Sequence, residues 1–315
     1  MPSACRICSG PLALRHRGRD APITAAELSP TCHEPGAYAD LYACERCGTV
    51  QQPALPSGTA LVDLYRDMED GAYLVEEAGR RATARRLLKL VGEHAPPPGR
   101  LLEVGCGHGL LLDEARRLGW DVRGLEPAAG ARAHARDALG LDVSDATLAD
   151  LRPGVDGGLD AVLLVDVLEH LDDPLGALRD CRALLADGGV LLVVTPDPSS
   201  PTARIVGARW WGYLPAHTFL LPRRTLRRVV EDAGFATLAD RGLKRTFTLR
   251  NWLAGLAERS PRLAGLLERR RGGALLGLPV TLSLGDERVL LARRAAHAPA
   301  AAPALAPAAA AGATP

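Results

Sequence analysis

The pattern of apolar and polar positions divides the chain into regions of different periodicity. Apolar residues recur at helical spacing through residues 61–94, which predicts two helices broken near Gly71. From Arg100 onward, short apolar runs alternate with helical stretches. The predicted strands are 100–104, 120–125, 140–144, 159–165, 189–195, 235–241 and 286–293, and the predicted helices are 109–118, 128–139, 174–186, 222–234 and 248–271. This alternation predicts an α/β fold with a mostly parallel sheet and helices on both faces.

The same pattern predicts four segments. Residues 1–50 are rich in Cys and broken by Pro and Gly, and they form a separate small module. Residues 51–97 form a helical linker, and residues 98–294 form the α/β domain. Residues 295–315 are almost entirely Ala and Pro, and this composition predicts a disordered tail.

Composition narrows the class of protein. The chain has 315 residues, of which 47% are hydrophobic, so it can bury a substantial core. A formal charge of +1 argues against a globally basic nucleic-acid binder. We expect no transmembrane helix and no secretory signal, and therefore a cytoplasmic location in which seven cysteines act as ligands or core residues rather than as disulfides.

A glycine-rich loop is the strongest chemical motif. Leu101–Val104 is an apolar strand that runs directly into Gly105, Gly107 and Gly109, and a helix follows. Glycine is needed where the backbone approaches a ligand closely or adopts positive φ. The next predicted strand ends in Glu126, whose carboxylate suits the two hydroxyls of a ribose.

The segment Glu103–Gly109 followed by Glu126 resembles class I S-adenosylmethionine (SAM)-dependent methyltransferases. Three further segments resemble that family's later strands and turns, and they are Ser144–Ala146, Leu159–Leu171 and Leu184–Gly189. The resemblance covers residues 98–240 and, more weakly, continues to 294. It implies a Rossmann-like seven-stranded sheet in an enzyme that uses SAM.

The resemblance also implies roles for individual residues. The three loop glycines are expected to line the methionine part of SAM, with Glu103 near its amino group. Glu126 is expected to hold the ribose. Asp145 and the Ala146 backbone are expected to reach the adenine, although Asp142 and Asp150 are nearby alternatives. The expected cofactor-binding residues are therefore Glu103, Gly105, Gly107, Gly109, Glu126, Asp145, Ala146 and Asp166.

Two C-x-x-C pairs predict a metal site in the N-terminal module. Cys5 with Cys8 and Cys44 with Cys47 can each direct two thiolates at one ion, and four thiolates suit tetrahedral zinc. The segment between the pairs exceeds the usual length and carries Cys32-His33, either of which could substitute as a ligand. Because a four-thiolate site is closed, we expect a structural zinc ribbon like those that precede many bacterial small-molecule methyltransferases.

Two histidines are candidates for catalysis. Methyl transfer to a hydroxyl needs a group that takes up its proton. His217 lies in a segment that resembles the family's Pro-Glu-His loop, with Ala216 in place of Glu, and it is the first choice for general base. His170 lies beyond the fourth strand of the sheet. It could instead orient that turn, and His217 could simply pack in its loop.

Three alternatives remain open. Asp166, Glu169 and His170 resemble the metal-assisted turn of ubiquinone-pathway O-methyltransferases and could hold Mg²⁺. The aromatic run is either a lid over an acceptor or core packing, and it comprises Trp210, Trp211, Tyr213 and Phe219. Two basic groups are either solvated helix faces or contacts to an acidic acceptor, and they comprise Arg80, Arg81, Arg85, Arg86, Arg223, Arg224, Arg227 and Arg228.

The sequence thus predicts a zinc-ribbon-bearing methyltransferase that acts on a hydroxyl of a sugar or secondary metabolite. The acceptor is a small molecule, with no nucleic acid or membrane partner expected. The rival functions are an RNA methyltransferase, and a non-catalytic SAM-binding scaffold that docks a partner through its ribbon.

Overall fold

A computed structural model describes residues 4–20, 23–29, 37–53, 55, 58–68, 72–257 and 274–296. Gly71, the pair Cys32-His33, the second part of the expected 248–271 helix and residues 297–315 of the expected tail lie outside these ranges. None of the described helices combines the length and the apolar character that a membrane span requires.

The N-terminal part is a small antiparallel sheet followed by helices. Its strands are β1 (Leu12–His16), β2 (Leu41–Cys44) and β3 (Val50–Gln51). The linker contains α1 (Thr59–Arg66), a 3₁₀ turn (Tyr73–Glu76) and α2 (Glu77–Gly92). The apolar face of α2 packs on the large sheet and its helices, with Leu87, Leu88 and Val91 almost fully buried.

The large domain alternates strands and helices as the pattern predicts. Its first half contains β4 (Arg100–Val104), α3 (Leu110–Arg117), β5 (Asp121–Leu125), α4 (Ala129–Ala133), β6 (Val143–Ser144), α5 (Pro153–Asp156), β7 (Leu159–Val165) and α6 (Pro174–Leu184). Its second half contains β8 (Leu185–Pro196), α7 (Pro201–Val206), β9 (Phe219–Leu220), α8 (Arg223–Asp232), β10 (Phe235–Gly242), β11 (Arg245–Thr248), α9 (Leu249–Ala257), β12 (Pro279–Leu282) and β13 (Glu287–Arg294).

Seven strands form the central sheet in the order β10-β13-β8-β7-β4-β5-β6. The pairs among β8, β7, β4, β5 and β6 are parallel, whereas β13 is antiparallel to both of its neighbours. Two apolar clusters cover the two faces of this sheet. The predicted Rossmann-like fold, with a seven-stranded mostly parallel sheet and helices on both faces, is confirmed.

One strand leaves the large domain. β9 pairs with β3, so the small N-terminal sheet has four strands in the order β1-β2-β3-β9. The pairing joins Val50 to Leu220 and Gln51 to Phe219. The periodicity did not predict this strand because it is only two residues long. It brings the N-terminal sheet against the segment that contains His217.

Candidate functional site

The loop after β4 owes its three glycines to different physical requirements. All three have positive φ, at 63° for Gly105, 52° for Gly107 and 79° for Gly109. A Cβ on Gly105 would lie 2.6 Å from Val167 Cγ2, and one on Gly109 would lie 2.7 Å from Leu141 Cδ1 and 2.9 Å from Ala135 Cβ. A Cβ on Gly107 would meet nothing within 4 Å. Gly107 therefore faces open space, where a ligand can approach the backbone.

Glu103 is a buried carboxylate at the end of β4. It is 4% exposed, and its Oε2 has no hydrogen-bond partner within the described residues. Burial and the neighbouring charge of Glu126 raise its pKa well above the ordinary value. An unpaired buried carboxylate oxygen is unfavourable unless a donor or a cationic group binds to it, so Oε2 of Glu103 fits the ammonium group of an amino-acid ligand.

Glu126 lies at the tip of β5 and is 6% exposed. Its Oε2 accepts a hydrogen bond from the Gly107 amide at 2.7 Å, and its Oε1 accepts one from the Ala128 amide at 2.8 Å. Burial raises the pKa of this carboxyl. Glu126 therefore holds the glycine loop in place as well as lying where a ribose is expected.

The third acid lies at the next strand end. Asp145 is exposed directly after β6, beside the partly buried Ala146. Asp142 lies before β6, at the opposite end of the strand. Asp150 accepts hydrogen bonds from the amide and the hydroxyl of Thr147 in a capping box. Of the three acids, Asp145 is therefore the one that lies directly after β6 and is not engaged in a capping box.

An aromatic cover over the glycine loop was not anticipated from the sequence. The ring of Tyr73, from the 3₁₀ turn before α2, stacks on His108 with centroids 4.8 Å apart and planes 13° apart. The guanidinium carbon of Arg80 lies 3.6 Å from the centre of the Tyr73 ring. The helical linker therefore contributes directly to the walls of this site.

Asp166 directly follows β7 and has an unusual backbone conformation, with φ of 55°. Both of its carboxylate oxygens lie 2.7 Å from the Nη2 nitrogen of Arg245, which also donates from Nε to Glu287 at 2.8 Å. Asp166 is therefore engaged with β11 and β13, rather than with Glu169 and His170 as the metal hypothesis requires.

The structure instead groups Glu169, His170 and His217. Their ligand atoms all lie within 4.8 Å of one another, and the two imidazole centroids are 4.8 Å apart. Glu169 is 2% exposed and its Oε2 is another carboxylate oxygen without a hydrogen-bond partner in the described ranges. Burial first, and the charge of Asp166 second, raise its pKa well above the ordinary value.

Hydrogen bonds fix the orientation of His217. Its Nδ1 lies 2.7 Å from the Gly212 carbonyl oxygen, which can only accept, so Nδ1 carries the proton and Nε2 carries the lone pair. Burial, together with the nearby His170, lowers the pKa of His217 to about 3. The base hypothesis assumed an ordinary histidine pKa near 6.5, and the pKa of His217 is lower than that. The ring is nevertheless neutral, and its Nε2 lone pair can accept a proton.

His170 is held by two groups. Its Nδ1 lies 2.7 Å from the Tyr65 hydroxyl and 3.1 Å from the carbonyl oxygen of Ala216. Burial lowers its pKa to about 4. Tyr65 belongs to α1, and nothing in its local pattern distinguished it from an ordinary apolar helix position.

The aromatic run belongs to the core. Trp210, Tyr213 and Phe219 are each 2% exposed. The indole nitrogens of Trp210 and Trp211 donate to the same Asp286 oxygen, at 2.8 Å and 2.7 Å. The lid hypothesis therefore gives way to core packing, with the two indoles satisfying a buried carboxylate.

The two arginine groups are engaged in local contacts. Arg81 pairs with Glu77, Asp113 and Glu114, and Arg85 pairs with Glu114. Arg223, Arg227 and Arg228 pair with Asp240, Glu231 and Asp232 respectively. These contacts favour the helix-face interpretation over acceptor binding.

The four cysteines of the two C-x-x-C pairs converge. The Sγ atoms of Cys5 and Cys47 are 3.7 Å apart, those of Cys8 and Cys44 are 3.4 Å apart, and all four lie within 4.8 Å of one another. A tetrahedral site with Zn–S bonds of about 2.3 Å has S···S edges of about 3.8 Å, whereas a disulfide is about 2.05 Å long. The geometry fits a shared metal ion.

A family model described as "Methyltransferase domain" matches residues 75–239. Ubiquinone biosynthesis O-methyltransferases are among the similar proteins. The chain is 36% identical to the one from Cereibacter sphaeroides over 173 residues, which are 51% of this chain and 68% of that protein. It is also 36% identical to the one from Dinoroseobacter shibae over 157 residues, covering 46% of this chain and 62% of that protein.

A solved structure shows the same fold at low sequence identity. It is the 1,6-didemethyltoxoflavin-N1-methyltransferase of Burkholderia thailandensis, with bound 1,6-didemethyltoxoflavin and S-adenosylhomocysteine. The TM-score is 0.50 at 15% identity, and the match covers 81% of this chain and 96% of that chain.

Proposed function

We propose a function from one premise: this chain belongs to the methyltransferase domain family and is a SAM-dependent methyltransferase. We infer that it methylates a hydroxyl of a small molecule, such as a sugar or another secondary metabolite. The observation that carries the proposal is the cluster of Glu169, His170 and His217, two of them in the turn after β7 whose Val167 lies against Gly105 of the glycine loop. The relatives named O-methyltransferases support oxygen as the acceptor atom.

The cofactor is assigned to the carboxyl ends of β4, β5 and β6. Gly107 offers an open approach to the backbone, and Glu103 offers an unpaired carboxylate to the ammonium group of SAM. Glu126 is assigned to the ribose, and Asp145 with the Ala146 backbone to the adenine. Gly105 and Gly109 shape the loop, and Asp166, which Arg245 holds, is the remaining residue assigned to the cofactor.

The histidines are assigned to the acceptor. Bound SAM supplies a methyl group on a positively charged sulfur. On transfer of this methyl group from sulfur to the acceptor oxygen, the hydroxyl proton would leave to the protein. Nε2 of His217 is the first acceptor of this proton, and His170 is the second candidate. The Glu169 carboxyl, whose pKa is raised by burial, lies beside the two imidazoles and completes the cluster.

Metal-assisted transfer is the second candidate, and one observation favours it. Two neutral imidazoles and an unpartnered carboxylate oxygen form a donor set of the kind that binds divalent cations. The Gly212 carbonyl fixes the tautomer of His217 in the way that outer partners orient metal-ligating histidines. In this version the ligands are Glu169, His170 and His217, and Asp166 is not among them.

The four cysteines are assigned to a structural zinc ion. Cys5, Cys8, Cys44 and Cys47 leave no open coordination position for water or substrate. The ion would stabilise a sheet whose strands are only two to five residues long. The chain would then consist of a zinc-ribbon module over 1–50, a helical linker over 51–97, the methyltransferase domain over 98–294 and a tail over 295–315.

The test is transfer of a labelled methyl group from SAM to a panel of phenols, sugars and nucleosides, with products identified by mass spectrometry. We expect an O-methylated small molecule, and we expect His217→Gln to lower turnover by about 10²–10⁴-fold. His94→Gln, a change outside the cluster, is the matched control. Stimulation by Mg²⁺ that is lost in His170→Gln would favour the metal-assisted version.

Other outcomes select the rival functions. Salt-sensitive methylation of RNA, with no small-molecule product, would make the chain an RNA methyltransferase. SAM binding without turnover on any acceptor would favour the scaffold. Product methylated at nitrogen or carbon would overturn the choice of oxygen and remove the need for a base.

A further inference from the structure

The loop that carries His217 is held by the N-terminal sheet. β9 begins two residues after His217 and is the fourth strand of that sheet, next to β3. The amide of Gln52, the residue after β3, also donates to the Thr218 carbonyl at 3.1 Å. The acceptor side of the proposed active site is therefore joined by backbone hydrogen bonds to the module that contains the four cysteines.

The side chain of Gln52 makes the most direct connection. It is 3% exposed. Its Nε2 donates to two carbonyls of the histidine loop, at 2.8 Å to Leu214 and 2.6 Å to His217. Its Oε1 accepts from the Ala39 amide at 2.9 Å. One buried amide thus joins the N-terminal module to both ends of the segment 214–217.

The opposite side of the same loop contacts the turn that carries Glu169 and His170. The Thr218 hydroxyl donates to the carbonyls of Glu169 and Leu171, at 3.0 Å and 2.7 Å. Ala216, inside the segment that Gln52 holds, places its carbonyl oxygen 3.1 Å from Nδ1 of His170. The path of this loop therefore sets the position of both imidazoles.

Two further contacts join the C-x-x-C pairs to the segments around His170 and His217. Arg6, between Cys5 and Cys8, pairs with Asp172 at 2.8 Å just beyond the His170 turn. The Thr225 hydroxyl donates to the Cys47 carbonyl at 2.6 Å. Both C-x-x-C pairs thus contact segments that flank the two histidines.

We propose that Gln52 is a positioning residue that holds His217, and through Ala216 also His170, in the orientation required at the acceptor. The N-terminal module then serves as a rigid support for the acceptor half of the site, and the helices and loops around β4 and β5 support the cofactor half. The effect of Gln52 on turnover rests on the proposed function of His217 as the base. Its effect on the orientation of His217 does not.

The experiment compares Gln52→Met with Gln51→Met in the full-length protein. Methionine preserves the shape of glutamine but donates no hydrogen bond, so the Leu214 and His217 carbonyls lose their buried donor. Gln51 is equally buried, at 3% exposed, but its side chain accepts from the Arg6 amide instead. It is therefore a matched control in the same sheet.

The readout is the ¹⁵N spectrum of labelled histidine, with the His217 signals assigned by their loss in His217→Gln. We expect wild type and Gln51→Met to show His217 as the single Nδ1–H tautomer at neutral pH. In Gln52→Met the His217 nitrogen shifts should move toward the average of the two tautomers, while SAM affinity by calorimetry stays unchanged. Once an acceptor is known, turnover should fall by up to about 10²-fold, the loss typical of a misplaced catalytic group.

A second measurement does not depend on the folding of a variant. In wild type the Gln52 side-chain amide protons should exchange slowly with solvent and show nuclear Overhauser effects to Leu214 and His217. Fast exchange there, or identical His217 signals in a folded Gln52→Met, would overturn the proposal. An unchanged acceptor activity in His217→Gln, with the expected ¹⁵N shifts present, would instead overturn the proposed base and leave the positioning intact.

Discussion

The two halves of the proposed active site are built in contrasting ways. The cofactor half is assembled mainly from the adjacent strands β4, β5 and β6 and the turns that follow them, with Tyr73 of the helical linker stacked on His108. Glu126 reaches Gly107 directly from the next strand along the chain. The acceptor half combines a turn after β7 with α1, the loop before β9 and Gln52. A half made of neighbouring segments can form with the sheet itself, whereas the other half requires the N-terminal module to be folded and docked.

The largest expected effect comes from removing the zinc ion, which should destabilise the support of the acceptor half and leave the cofactor half intact. Cys44→Ser should abolish stoichiometric zinc and remove metal-binding free energy on the order of 10 kcal/mol from the N-terminal sheet. SAM affinity should persist, because none of its proposed ligands lies in that sheet. Elemental analysis and calorimetry check the two statements. Cys181→Ala, at a buried cysteine in α6, should retain the metal.

Wild-type protein prepared under reducing conditions without zinc, yet with an ordered N-terminal sheet, would contradict this prediction. Loss of SAM affinity in Cys44→Ser would contradict the independence of the cofactor half.

The second prediction compares two glycines of the loop, Gly105, which packs against Val167, and Gly107, which faces open space. Gly105→Ala should lower the free energy of unfolding by about 2–4 kcal/mol, because its Cβ would overlap Val167 and its φ is positive. Gly107→Ala should cost about 1–2 kcal/mol of stability from φ alone. SAM affinity should nevertheless fall in Gly107→Ala, since its Cβ would enter the open approach.

Denaturant unfolding and calorimetry measure these two quantities separately. If Gly107→Ala binds SAM as wild type does, the open space beside Gly107 does not receive the cofactor.

The third prediction concerns Glu126. Glu126→Ala should weaken SAM binding by about 1.5–3 kcal/mol, the range for losing hydrogen bonds to a charged group. The sequence alone placed this acid at the tip of a strand, and in the structure it is buried and accepts hydrogen bonds from two backbone amides. We therefore expect some loss of stability as well, and the exposed Glu93→Ala is the control. Unchanged SAM affinity in folded Glu126→Ala would remove Glu126 from the ribose site.

The contrast between the halves also explains what the sequence could predict. The strands β4 and β7 agree with the predicted bounds of 100–104 and 159–165, because buried parallel strands are short apolar runs with clear ends. The proximity of the glycine loop and Glu126 could be predicted because it depends on spacing within one strand–turn–strand unit.

The acceptor half could not be predicted in the same way. Gln52 and Tyr65 carry no local pattern that distinguishes them from ordinary polar and apolar positions. Their partners in the acceptor half, His217 and His170, are more than 100 residues away in the chain. Asp166 was grouped with Glu169 and His170 because of a resemblance to a metal-assisted turn, whereas in the structure it pairs with Arg245, a residue 79 positions later. The pKa values of the histidines depend on burial, which spacing does not reveal.

The fourth prediction uses those pKa values. Burial lowers the pKa of His217 to about 3 and of His170 to about 4, from an ordinary value of 6.5. At pH values between the folded-state pKa and 6.5, the unfolded chain binds more protons than the folded chain. The stabilisation from the neutral rings is therefore fully present above pH 6.5 and is lost as the pH is lowered. Each histidine should contribute a loss of about 1–2 kcal/mol between pH 7 and pH 5.

Denaturant titrations of wild type and His217→Gln at the two pH values check this. The variant should lose part of the pH dependence. An identical dependence in both proteins would mean that His217 is not buried as a neutral ring.

The smallest expected effect lies at the solvent edge of the cofactor half. Asp145 is exposed, so Asp145→Ala should weaken SAM binding by about 0.5–1.5 kcal/mol, the net worth of an ordinary hydrogen bond, and leave stability unchanged. Asp150 accepts from Thr147 in a capping box, so Asp150→Ala should instead lower stability by about 0.5–2 kcal/mol without changing SAM affinity. Calorimetry and unfolding on both variants distinguish the assignments. If Asp150→Ala is the variant that loses affinity, the adenine contact belongs to the turn after Thr147 and not to the end of β6.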